Sequence, residues 1–444
     1  MPTKIIIIAN IAESFENIIS GIKSRKQKSE RIFLEHSLCE RTLLWEKDNK
    51  LVITPFPISK NLIAINKKVL SLKNIQNLFP KEISLSLSES ILKDNDLIDS
   101  VCRIVKKNPG IRISPYCITP HFLSFIKYLK NKKLKFTVLE MPKNHKFSLI
   151  SHLDSKIGSR KEISKIKNIA VNIPISIFCK DKNQVFEAVR RFFYKKQSCV
   201  VKANFGESGW GLIFADRNKV DEIQEIIGCV EIAFEKDSIW TKNLILVEEM
   251  IPSGKNSSIN SPSLEIFISE KGPKITYSCK QIIGKNGDFL GVTLGKDLLP
   301  INLDRRLARI ALSIGKKFFQ MGYRGFFDID FVVSEKGTPY VIETNMRRTG
   351  GTHAYDTAKH IFGNNWNQTA FVLSRDNFQY GKEKLSPKKI LERMKHVLYP
   401  IRDNREGVII SIVNRCNPSF GFVILANNKN RVLYIYKQMQ YLWG

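Results

Sequence analysis

Four residues, Asp330, Glu343, Asn345 and Arg347, have the types and spacing to handle a metal-bound phosphate. They lie in the run Gly325-Phe-Phe-Asp-Ile-Asp330-Phe-Val-Val and, after a turn with Gly337 and Pro339, in Tyr340-Val-Ile-Glu343-Thr-Asn345-Met-Arg347-Arg-Thr-Gly-Gly351. Two β-rich runs joined by a Gly-containing turn predict an antiparallel hairpin, in which Glu343 and Asn345 share a face and Asp330 reaches it from the neighbouring strand. Two carboxylates and an amide oxygen form a hard donor set suited to magnesium, an ion that completes its shell with phosphates and water. Arg347, two residues past Asn345, points at the same place and can stabilise negative charge on a transferring phosphoryl group. The plain alternative is a surface hairpin with one solvated face; the Arg-Arg-Thr-Gly-Gly continuation weighs against it.

Two further segments carry weaker signals. In Cys199-Val-Val-Lys202-Ala-Asn-Phe-Gly206-Glu-Ser208-Gly209-Trp-Gly211 a buried strand bears a lysine and opens into a glycine-rich loop. Glycine lets backbone N–H groups approach phosphate closely. Leu244-Ile-Leu-Val-Glu248-Glu249-Met250-Ile251-Pro252 is an apolar strand ending in acids, whose terminal backbone groups could meet an adenine edge while Met250 and Ile251 supply apolar contact. Taken singly, a glycine hairpin and a core strand explain these two segments as well.

The elements that must position these residues are read from periodicity. From Lys4 to about Met141, strand-like runs (Lys4 to Ala9, Arg31 to Leu34, Phe136 to Leu139) alternate with helical patterns (Leu97 to Lys107, Phe122 to Lys130), which favours an open α/β sheet. No G-x-G-x-x-G follows the first strand. A polar, basic stretch from Lys143 to Lys167 marks a boundary, and Asp376 to Pro387 reads as a linker. Beyond it a helix is expected at Lys388 to Leu398, with strands near Gly407 to Val413, Gly421 to Leu425 and Val432 to Tyr436. The fold class is therefore α/β (α+β), in three domains at 1–150, 151–375 and 376–444.

The chain has 444 residues, 43% hydrophobic and 25% charged, as expected for a globular protein with two or three cores. Its net charge of +29 would draw anions, but lysine-rich runs such as Lys23 to Lys28 are usually solvated faces. No zinc-finger, helix-turn-helix or RNP-type pattern supports nucleic-acid binding. Eight cysteines show no metal-ligand spacing and read as reduced, mostly buried thiols. The apolar run Ile5 to Ala9 is closed by Asn10 and Glu13, so a buried first strand and a cytoplasmic protein without membrane partners are expected.

In order and spacing, a lysine with a glycine loop, an acidic strand end and D…E-x-N-x-R closely resemble the ATP-grasp superfamily over about residues 151–373, most specifically at Glu343-Thr-Asn345-Met-Arg347. The chain is similar to the branch with a pre-ATP-grasp N-terminal domain, which includes pheganomycin-type peptide ligases and the butirosin-pathway carrier-protein ligase. The resemblance implies a pre-ATP-grasp α/β domain, a two-lobed ATP-grasp domain and a small α+β C-terminal unit. It also implies ATP with Mg2+, or Mn2+ in its place. Residue by residue, it implies Lys156 and Lys202 as phosphate-binding lysines, and Gly206, Ser208, Gly209 and Gly211 as the phosphate loop. Glu248, Glu249, Met250 and Ile251 correspond to the adenine hinge, Asp330, Glu343 and Asn345 to the metal ligands, and Arg347 to the residue facing the reacting phosphate. An insertion-like stretch from Pro252 to Ser263 obscures the ribose-binding carboxylate, for which Glu265 is a candidate.

The implied reaction is attack of a carboxylate on the γ-phosphate of ATP, giving an acyl phosphate and ADP, then displacement of phosphate by an amine of an amino acid or peptide. One alternative is transfer to the thiol of an acidic acyl carrier protein. Another, of a different class, is a basic nucleotide- or nucleic-acid-binding protein without turnover.

Overall fold

The computed structural model describes residues 2–207, 209–218, 223–241, 244–253, 261–284 and 287–443. Its N-terminal part is a five-stranded, wholly parallel sheet in the order Ile75–Leu78, Lys50–Ile53, Ile5–Ile8, Ile111–Pro115, Phe136–Thr137. The isoleucine run sits at its centre and is buried throughout, as a strand covered on both faces must be. Helix Asn95–Lys107 covers it with Leu97, Ile98, Val101 and Val105, residues three to four apart, and Asp94 caps the helix by accepting the Leu97 N–H at 3.0 Å.

Two antiparallel sheets follow. A four-stranded one runs Ser176–Cys179, Ile245–Glu249, Cys199–Glu207, Trp210–Ala215. An eight-stranded one runs Pro339–Asn345, Gly325–Val333, Pro262–Ser269, Gly272–Ile283, Phe289–Gly295, Phe371–Gln379, Ser419–Ala426, Gly407–Val413. The last two strands thus extend the central sheet. Buried contacts fasten this end of the sheet to the N-terminal part: Arg41 pairs with Asp376 of Phe371–Gln379, and Glu40 accepts the Val413 N–H at 2.8 Å.

Several expectations need correction. Arg31 to Leu34 is helical, inside Arg25–Ser37, because Ser24 caps the start and the polar residues around the short apolar run suit a helix whose end alone is buried. Val432 to Tyr436 lies in helix Lys429–Tyr441, where Val432, Ile435 and Met439 bury one stripe. The expected linker begins within strand Phe371–Gln379, and the basic stretch after Lys143 contains helices Phe147–Asp154 and Lys156–Ile163. All eight cysteines are free, five of them buried, as expected. Among the described residues no helix is long and apolar enough to cross a membrane.

Candidate active site

The hairpin Gly325–Asn345 forms in the expected register: Asp330 faces Glu343 and Asp328 faces Asn345 across the ladder. Alternation therefore puts four oxygen-bearing side chains on one sheet face. Asn345 Nδ2 donates to Asp330 Oδ2 at 3.2 Å, and Gln281 donates to the other Asp330 oxygen. Burial, reinforced by the charge of Glu343, pushes the Asp330 carboxyl up to about 7, and burial with the charge of Asp330 pushes Asp328 well above the usual range. Asp328 Oδ1 is buried with no hydrogen-bond partner. Such a cluster is short of positive charge. Among the described residues no three acidic, histidine or cysteine side chains converge as a ready-made cage. That donor set fits magnesium held by a few protein oxygens and completed by phosphate, with Asp330, Glu343 and Asn345 as the protein donors.

Lys156 starts helix Lys156–Ile163, capped by Ser155, and is 3% exposed. Its ammonium donates to the Gly206 carbonyl and, at 2.7 Å, to Glu343 Oε1. One cation thus joins the acidic hairpin to the glycine hairpin.

The glycine hairpin is formed by Cys199–Glu207 and Trp210–Ala215. Gly209 and Gly211 have φ of +83° and +78°, and a Cβ on Gly206 would come within 2.4 Å of the Trp210 carbonyl, so the turn requires glycine. Ser208 lies outside the described residues.

Lys202 is buried and ion-pairs with Glu248, which also takes Arg160 Nε at 2.8 Å and Ser176 Oγ at 3.1 Å. Burial lowers the Lys202 pKa despite that partner. Burial alone would raise Glu248; Arg160 and Lys202 overcome it and hold the carboxyl at about 2. The Glu248 side chain therefore anchors the small lobe internally. Only the following residues, Glu249, Met250 and Ile251, are partly exposed at the strand end, where Glu249 N–H and Oε1 engage Ile175. Glu265 is fully buried, its oxygens taken by Thr276, Thr352 and Tyr277, so it is closed to a ribose.

Arg347 is half-buried. Its charge acts on Asp154, which accepts the Met346 N–H at 2.8 Å near Lys156 and Glu343, and on Glu35 and Tyr116 in the N-terminal part. Its neighbour Arg348 is structural, buried over the Phe326 ring at 3.9 Å and bonded to Ser114 and Glu140. Sequence reasoning missed Asp328, Arg160, Asp154 and Glu35. Strand alternation from Asp330 could have found the first; the others are brought in by tertiary contacts alone.

This arrangement of sheets is the ATP-grasp fold. The biotin carboxylase domain of Hydrogenobacter thermophilus 2-oxoglutarate carboxylase, solved with MgADP, ADP and bicarbonate, matches at a TM-score of 0.55 and 12% identity, over 96% of this chain and 87% of that one. N5-carboxyaminoimidazole synthase of Aspergillus clavatus, solved with ADP and its aminoimidazole ribonucleotide, matches at 0.56 and 9%, over 99% and 98%. In sequence, the L-propargylglycine–L-glutamate ligase of Streptantibioticus cattleyicolor is 21% identical over 360 residues, 76% of this chain and 71% of that protein. No family model matches the chain.

Proposed function

We propose that the protein is an ATP-dependent carboxylate–amine ligase that activates its acid as an acyl phosphate and releases ADP and phosphate. The observation that carries this reading is Lys156, shared between the Gly206 carbonyl and Glu343. A triphosphate entering between the two hairpins would exchange for these contacts, taking the lysine on its oxygens. Magnesium held by Asp330, Glu343 and Asn345 would supply charge neutralisation to the phosphates. Around it, Lys202 and the glycine hairpin's backbone N–H groups hold the phosphates, the strand end at Glu249 to Ile251 borders the adenine, and Arg347 stabilises charge on the group being transferred.

Support for an amine acceptor comes from the amino-acid ligase that the chain resembles along about three quarters of its length. The acceptor is expected to be an amino acid or peptide. The test is a screen of ADP release with mixtures of carboxylic acids and amines: release that depends on the acid is the expected result, and ATP hydrolysis indifferent to every acid would contradict it.

A further inference from the structure

An amine acceptor arrives as an ammonium, which has no lone pair with which to attack an acyl phosphate. A buried carboxylate within reach of the Arg347 charge can remedy this. Glu35, on helix Arg25–Ser37, is 2% exposed. Arg31 Nη2 bonds its Oε1 at 2.7 Å, while its Oε2 is buried with no hydrogen-bond partner. The charges of Arg31, Arg41 and Arg347 bear on it, and that of Arg347 bears also on Asp154, beside Lys156 and Glu343. Tyr116, against which Arg41 lies at 6.0 Å, follows strand Ile111–Pro115. Glu35 thus stands at the carboxyl edge of the parallel sheet, where open α/β sheets hold their ligands. Arg31 also lies 5.6 Å from the Trp210 ring, so the hairpin that covers the phosphates borders this place too.

A buried carboxylate oxygen without a donor is costly, and the arginines around it cannot release a proton. An ammonium supplies both a donor and a proton. We propose that Glu35 Oε2 receives the acceptor's ammonium and takes its proton as the amide forms, so that the acceptor is a primary amine such as the α-amino group of an amino acid or peptide. The proposal rests on the carboxylate–amine reading above. In the step, one ammonium proton passes to Glu35 and the freed lone pair forms the C–N bond. The bond from the acyl carbon to the phosphate oxygen breaks, its electron pair leaves with phosphate, and a second nitrogen proton follows to that phosphate. Burial raises the proton affinity of Glu35 in spite of the arginines, which suits a group that must accept one.

The experiment compares two acceptors on one enzyme, with a mixture of the common L-amino acids and ATP. Hydroxylamine is neutral near pH 7 and needs no base; amino-acid acceptors do. Glu35→Gln should still form hydroxamate at close to the wild-type rate, while amide formation drops by about 100-fold or more. Glu35→Asp, which retracts the carboxylate, should lower the amide-to-hydroxamate ratio by less. An unchanged ratio in either active variant would overturn the role of Glu35 and leave the ligase reading intact. If the wild-type enzyme gave neither product, both would fall.

Discussion

Two antiparallel hairpins meet at Lys156, and they are built in opposite ways. The hairpin Gly325–Val333 and Pro339–Asn345 presents side chains: Asp328, Asp330, Glu343 and Asn345 project from one face of an eight-stranded sheet. The hairpin Cys199–Glu207 and Trp210–Ala215 presents backbone, and its turn depends on glycines at positive φ at the rim of a four-stranded sheet. The first can fix charge and geometry because its strands are paired and its side chains alternate. The second can close on a ligand because it gives up side chains for backbone freedom. The proposed phosphoryl transfer would use both properties, which this chain separates into two sheets.

The largest expected effect comes from breaking the side-chain hairpin. Glu343→Ala should lower acid-dependent ADP release by at least about 100-fold, while circular dichroism and melting stay near wild type, because Glu343 is half-buried and its partner Lys156 keeps the Gly206 carbonyl. Wild-type turnover in the folded variant would remove Glu343 from the metal.

Next comes Lys202→Met, which keeps the stem and deletes the charge. Loss of a charged hydrogen bond to phosphate should reduce ATP affinity or turnover by about 10- to 100-fold, measured by nucleotide titration and initial rates. Unchanged affinity and rate would confine Lys202 to pairing with Glu248.

That pairing makes a pH prediction of its own. The folded Glu248 carboxyl lies at about 2 against an ordinary value of 4.5, so its ion pairs contribute stability in full above the ordinary value. The contribution is lost as pH falls from about 5 toward 2. Melting temperature should decline over that range in the wild type and decline less in Glu248→Gln; parallel curves would contradict the buried pairing.

The smallest effect belongs to the backbone hairpin. Gly209→Ala forces a side chain to a φ of +83° and brings its Cβ within 3.2 Å of Gly287. The cost is about 1–2 kcal/mol, so apparent ATP affinity should fall about tenfold or less with the fold intact. A loss as large as that of Glu343→Ala would mean the two hairpins are not distinct in kind.

How much of this was legible follows the same division. The acidic hairpin could be read because period-2 alternation turns spacing directly into a shared face, and the Isoleucine run announced the central parallel strand. The glycine turn was visible as composition, although its conformation was not. Arg31 to Leu34 resembles a strand when the apolar Ile-Phe-Leu run is weighed alone; the helix instead places Arg31 one turn from Glu35, a pairing that a strand reading hides. Arg160 reaches Glu248 across 88 residues, and the Arg347 charge acts on Asp154 and Glu35 only after the sheets assemble, so no local pattern encodes either.

The central claim is that the substrate carboxylate itself attacks the γ-phosphate, and oxygen labelling tests it most directly. With a productive acid carrying 18O in its carboxylate, an acyl-phosphate route delivers one labelled oxygen to the inorganic phosphate, with ADP as the nucleotide product. Unlabelled phosphate, or label recovered in AMP, would contradict the mechanism.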